Sequence, residues 1–234
     1  MKRVMRLFIK ETSFEYEDGR IEGPAIILCN HVGTAAPLAW ELYGEVDFRF
    51  WGAFEMNSGL VNLYKYQSKV FYHEKKGWNI HLARLFCLIA SPLTRLFYAG
   101  LNLISTYQDV RFKHTLTESV KTLEAGKSVI IFPEVSDNGY LDVLEGFHKG
   151  CVMLAGVCYK HGMDVPIYVS YFKKGEPKKL LVSKKISLCE LFDDGKNRDQ
   201  IAEYLCSECN RLGARLLFED GGETPREQNE KAII

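Results

Sequence analysis

The chain has 234 residues, with 30 lysines and arginines against 30 aspartates and glutamates, so its formal net charge is zero. That balance argues against a nucleic-acid partner, which leaves a net basic footprint, while 47% hydrophobic and 26% charged residues suit a globular protein with a sizeable core. Seven cysteines, odd in number and scattered through apolar runs, lack the dense spacing of a secreted disulfide scaffold and predict reduced, mostly buried thiols in a cytosolic protein.

Residues 1–10 carry basic side chains but no apolar stretch long enough for a signal peptide, so the protein is expected to stay inside the cell. No segment offers the ~20 uninterrupted apolar residues that span a bilayer. The nearest, residues 78–104, is broken by His81, Arg84, Pro92, Arg95 and Asn102. A polar, turn-like opening through Tyr16-Glu-Asp-Gly19 gives way to the short apolar run Ala25-Ile-Ile-Leu-Cys29, the pattern of a strand buried on both faces. The chain turns over residues 30–34, and Pro37 suits the first turn of a helix reaching Tyr43. Residues 47–53 read as a second strand, so the chain begins strand, helix, strand, as α/β sheets do.

From Ser58 the signals mix. A helix is expected over residues 80–90, a break at Ser91-Pro92, a shorter helix to Tyr98 and a strand at 101–104. Leu116, Val120 and Leu123 then recur at helical spacing, with Gly126 as a stop. Residues 127–132 form a buried strand that ends at Pro133. A helix over 147–160, a strand over 164–171 and an edge strand over 178–182 follow. The last helix, residues 198–218, keeps Ile201, Leu205, Leu212 and Leu216 on one stripe. It also carries Cys206-Ser-Glu-Cys209, and without further ligands at zinc spacing this pair reads as two core thiols, not as a metal site. The whole predicts an α/β fold, a mostly parallel sheet covered by helices, in a single domain over residues 1–218 with a flexible polar tail over 219–234.

The chemistry gathers around His31, delivered into a turn at the end of the first buried strand. Four blocks in order, Ile26-Ile-Leu-Cys-Asn-His31, Gly100-Leu-Asn-Leu-Ile104, Val129-Ile-Ile-Phe-Pro-Glu134 and Val165-Pro-Ile-Tyr168, with Phe147-His-Lys-Gly150 as a fifth, resemble the glycerolipid acyltransferases typified by the enzymes that acylate lysophosphatidic acid. The resemblance covers residues 23–171 and implies the glycerol-3-phosphate acyltransferase-like α/β fold. It implies transfer of a fatty acyl group from an acyl thioester to a hydroxyl, or an amine, of a lysolipid-type acceptor. Acyl-coenzyme A or acyl carrier protein would be the donor, with no metal or prosthetic group. His31 becomes the general base, and Pro133, Glu134, Ser136 and Lys149 become acceptor-binding candidates.

Two blocks depart from the family. The aspartate expected five residues after the histidine, where it orients the imidazole, is Ala36. In serine proteases, changing the orienting carboxylate to an amide lowers turnover about ten-thousand-fold, roughly 5 kcal/mol. Glu41, Asp47 and Asp137 are substitutes only if folding brings them to the imidazole. After Glu134 the family's glycine and phosphate-binding arginine are replaced by Val135-Ser136-Asp137-Asn138-Gly139, and Arg111 is the cation closest after the second block. His148 and Lys149 could supply charge to the acceptor. A carboxylate without that arginine disfavours a phosphomonoester, which points to a less anionic or amine-bearing acceptor. The alternative is a non-catalytic protein of the same fold that binds lipid or acyl donor. The arginine-studded apolar segments 82–90 and 93–98 suit a helix lying in a bilayer interface. The expected location is therefore cytoplasmic, peripheral on the inner face of a membrane.

Overall fold

The computed structural model describes residues 5–7, 9–137 and 139–219. The predicted tail falls, from residue 220 onward, outside the described residues. In chain order the elements are β1 (Ser13–Tyr16), β2 (Ile26–Cys29), α1 (Ala35–Tyr43), β3 (Phe48–Ala53), α2 (Phe54–Asn57), α3 (Leu60–Lys65), a π-helix (Tyr66–Lys75), α4 (Ile80–Leu101), β4 (Ile104–Thr106), α5 (Phe112–Glu124), β5 (Ser128–Ile131), α6 (Gly150–Lys160), β6 (Ile167–Phe172), β7 (Lys179–Val182), α7 (Leu188–Phe192) and α8 (Arg198–Glu219). They form an α/β protein that packs as two compact units. One comprises the described residues up to Asp47 and from Leu123 onward, and the other is Phe48–Thr122.

In the first unit the strands lie in the order β1-β7-β6-β2-β5. β2 pairs parallel with both β5 and β6, β1 pairs parallel with β7, and β6 with β7 is antiparallel. Every residue of β2, β5 and β6 is buried, as their continuous apolar runs require. The helix α8 covers this sheet. Gly213 meets the Tyr171 ring so closely that a Cβ there would stand 2.6 Å from a ring carbon. Cys206 and Cys209 face inward on α8, both buried. Of the seven cysteines, all reduced, six are buried and Cys189 is exposed.

In the second unit β3 and β4 pair in parallel, Trp51 opposite Ile104. The Arg49 guanidinium donates to the carbonyls of Asn102 and Leu103, and Asn57 donates to the same Leu103 carbonyl, so the long excursion between the two strands is tied off at its base. The expected break at Ser91-Pro92 is absent. α4 runs unbroken from Ile80 to Leu101 with Pro92 inside, although an interior proline costs about 3 kcal/mol. Packing carries it through: Ala83, Cys87 and Ser91 are buried on one face, and Ser91 Oγ donates to Gln67 of the π-helix at 2.7 Å. The helix ends at Asn102 in left-handed backbone (φ 49°), which moves the following strand from the expected 101–104 to β4.

Two further expectations change. β7 is interior, because β1, hidden in an opening that reads as polar turn, takes the edge beside it. The helix expected from residue 147 starts at Gly150, since Phe147 and His148 are pairing with Glu134 and Pro133.

Candidate active site

β2 and β6 run in register as far as Cys29 opposite Ser170. Beyond that point the Asn30 side chain stands in for a strand: its Oδ1 accepts the Phe172 N–H at 2.7 Å and its Nδ2 donates to the Phe172 carbonyl at 3.0 Å. The amide satisfies β6 while the backbone is released to turn. A buried asparagine before the histidine is thus the device that ends the strand and presents His31 at the carboxyl end of the sheet. β5 and β6 flank β2 on opposite sides, and the crevice above such a strand is where open α/β sheets receive ligands.

Glu134 meets His31 from the neighbouring strand. β5 ends at Ile131, and Phe132 and Pro133 carry the chain to a carboxylate whose Oε2 accepts the His31 backbone N–H at 2.6 Å. One buried side chain thus holds the turn after β2 against the segment that follows β5. Burial pushes the Glu134 carboxyl above its ordinary range, against the opposing pull chiefly of the His31 N–H and of Lys174. Segment 133–135 is further fixed to 146–148: His148 N–H donates to the Pro133 carbonyl at 2.7 Å and Val135 N–H to the Gly146 carbonyl at 3.0 Å.

The imidazole lies between two rings. Tyr140 is parallel to it (centroids 5.2 Å apart, 9° between planes), and Phe132 meets it edge to face at 5.1 Å. Tyr140 is in turn held from β6 and the residues just after it: the ammonium of Lys174 donates to the Tyr140 carbonyl and pairs with Asp142 at 3.2 Å, and Tyr171 Oη donates to the Asp142 carbonyl. Tyr140 was not legible as a site residue, since nothing in the sequence tells which ring of the long connection after β5 returns to the histidine.

Three of the five expected site residues, His31, Pro133 and Glu134, come together here. Ser136 is half-buried in the following turn, where its carbonyl accepts the Gly139 N–H. Lys149 stands exposed at the start of α6, ion-paired with Asp199 of α8. Ala36 is wholly buried in the first turn of α1, which carries no acidic residue there. Asp47 is ruled out as a replacement: its carbonyl accepts the Ser128 N–H and its carboxylate pairs with Lys127 at 3.1 Å, at the amino end of β5. His31 lies past the carboxyl end of the parallel strand β2, at least ~10 Å away along the sheet. Asp137 is exposed, and Glu41 is half-buried on α1, ~7 Å along the helix axis from Ala36.

Burial pushes the Cys29 thiol up to about 12. It therefore stays protonated at neutral pH and offers no thiolate for a covalent acyl intermediate. Among the described residues no group of three or more histidines, cysteines or carboxylates could hold a metal ion.

The chain matches no protein-family model and no curated protein. Among solved structures it is similar to the 1-acyl-sn-glycerophosphate (LPA) acyltransferase PlsC from Thermotoga maritima, with 14% identity, coverage of 86% of this chain and 70% of that one, and a TM-score of 0.44.

Proposed function

We propose that the protein is an acyltransferase that moves a fatty acyl group from acyl-coenzyme A or acyl carrier protein to a hydroxyl or amine of a lysolipid-type acceptor, with His31 as general base. The observation that carries this reading is the seating of His31 at the carboxyl end of β2, its backbone fixed by Glu134 and its ring held by Tyr140 and Phe132. In the proposed step His31 takes the proton as the acceptor oxygen attacks the thioester carbonyl. The C–S bond then breaks, and the His31 imidazolium returns that proton to the departing thiolate. Glu134, engaged by the His31 backbone N–H, serves as a positioning residue for that turn.

The acceptor proposed is less anionic than lysophosphatidic acid. Lys149 and Lys174 both carry ion pairs already, and the residue at the acceptor motif is a carboxylate. A phosphomonoester would have to break one of these pairs or meet Glu134. Acceptor and enzyme are proposed to meet on the cytoplasmic face of a membrane, with the protein peripheral.

The buried Ala36 favours a second reading, a protein of the same architecture that binds lipid or acyl donor without turnover. Thiol release from long-chain acyl-coenzyme A and acyl carrier protein, measured for the wild type, His31→Ala and Ala36→Asp against anionic, neutral and amine-bearing lysolipids, separates the two. Release by the wild type that His31→Ala reduces at least ~100-fold is expected. Undiminished release in His31→Ala defeats the general-base role, and release confined to Ala36→Asp supports the second reading.

A further inference from the structure

We infer that Tyr140 is a positioning residue for His31: its ring fixes the plane of the imidazole, and Lys174 fixes Tyr140. The Tyr140 and His31 rings lie 5.2 Å apart and within 9° of parallel, while Phe132 meets the imidazole edge to face at 66°. Two walls so differently inclined restrict the imidazole to one plane, and such ring pairs add about 0.5–1.5 kcal/mol beyond the area they bury. The first turn of α1 carries no acidic residue, and Ala36 there is wholly buried. An orienting carboxylate therefore does not come from α1, and the ring plane is set by stacking from the β5 side. The stack supplies no hydrogen bond, so it governs the plane of the imidazole and leaves the tautomer to other contacts.

The two walls differ in what holds them. Phe132 directly follows Ile131, the last residue of β5, so the sheet places it. Tyr140 lies in a connection outside any strand or helix and depends on side chains that reach it. Their grip falls on alternate residues. Lys174 Nζ donates to the Tyr140 carbonyl, and Tyr171 Oη donates to the Asp142 carbonyl at 2.8 Å. Asn210 of α8 accepts the Leu144 N–H at 2.8 Å and donates to the Leu144 carbonyl at 3.0 Å. Tyr171 is itself backed by Gly213 of α8, where even a Cβ would crowd its ring. Lys174 makes the contact nearest the stack and is doubly engaged, since its ammonium also pairs with Asp142 at 3.2 Å. A segment gripped at three alternate backbone positions is a fixed support, whereas a cover that opened for each substrate would have to break these bonds at every turnover. Fixed support is what a general base needs, because its reach to the acceptor proton is set within fractions of an ångström.

This role rests on His31 being the base of the proposed transfer, and two readouts separate them. NMR of the full chain labelled at its histidine rings gives the His31 signals, assigned among six histidines by their loss in His31→Ala. Those ring protons should be displaced upfield by the Tyr140 ring current in the wild type and in Tyr140→Phe, and the displacement should vanish in Tyr140→Leu. In the thiol-release assay Tyr140→Leu should lose about ten- to a hundredfold in kcat with KM within about twofold, because the base is misplaced while substrate contacts remain. Tyr140→Phe, which keeps the ring, should restore kcat to within about threefold of the wild type. Lys174→Met should lose part of both the displacement and kcat, and Lys174→Arg should recover them. A wild type without release, or undiminished release in His31→Ala, defeats the proposed reaction and this role with it. Release that falls in His31→Ala but stays at the wild-type kcat in Tyr140→Leu overturns this role alone. So does a wild type without the upfield displacement, or a Tyr140→Leu variant that turns over faster, which would make the ring an obstruction to the acceptor.

Discussion

β2 and α4 are built from the same kinds of residue and meet opposite fates. In β2 the run Ile26-Ile27-Leu28-Cys29 is entirely withdrawn from solvent, whereas on α4 leucines and an isoleucine stand 62–74% exposed. Hydrophobic content alone therefore does not mark a core. In β2 the apolar side chains serve the unit's own stability, flanked by β5 and β6 on both sides. On α4 only a narrow strip of small residues, Ala83, Cys87 and Ser91, performs that service. The exposed leucines and Ile89 contribute little to folding.

Substitutions that remove the same atoms from each region would break or confirm this contrast most directly. Leu28→Ala deletes a fully buried side chain and should cost about 2–5 kcal/mol in urea-denaturation experiments, through lost burial and the cavity left behind. Leu85→Ala removes an equal side chain from a position 64% exposed and should change stability by no more than about 0.5 kcal/mol. Comparable losses at the two positions would mean that the exposed face of α4 is a folding surface after all.

Asn30 sharpens the contrast at the boundary between core and site. Its amide pairs both Phe172 backbone groups once β2 turns away, so Asn30→Ala leaves a buried N–H and a buried carbonyl to find replacements. Each costs about 1–3 kcal/mol if left unmade. The expected total loss is ~2–6 kcal/mol, with the His31 turn displaced. Asn30→Asp keeps the acceptor for the N–H but loses the donor, so it should fall between wild type and alanine if the two bonds act as described.

The strands of the core were legible because burial on both faces writes itself as unbroken apolar runs, and α5 and α8 because their buried stripes repeat at helical spacing. β1 was hidden by its partly exposed, mixed residues, Ser13 to Tyr16, at the sheet edge. Pro92 misled because local preference favours ending a helix there, while the contacts that override it, Ser91 to Gln67 among them, join residues 24 apart. The site divided in the same way. His31 and Glu134 were visible as strand-end residues. That Glu134 grips the histidine's backbone, and that Tyr140 covers its ring, depends on a loop returning across the sheet, which no periodicity encodes.

The smallest effect concerns how the first unit holds its covering helix by charge. Glu17, directly after β1, has a side chain only 8% exposed and accepts both Arg211 nitrogens at 2.7 and 2.8 Å, with Arg215 at 3.2 Å. Hydrogen bonding from Arg211 holds the Glu17 carboxyl below its ordinary range, against the cost of burial. A carboxyl that ionises more readily folded than unfolded binds fewer protons in the native state, so the stability it provides is present above its unfolded pKa and is lost as pH falls through the folded one. Glu17→Gln should cost about 1–2 kcal/mol at neutral pH, a range reduced because the arginines are nearly half exposed. The gap between variant and wild type should close as urea titrations move to acid. By contrast, Arg84 and Arg95 on α4 make no ion pair among the described residues. Their replacement by glutamine should leave stability within about 0.5 kcal/mol at every pH, because both side chains are exposed.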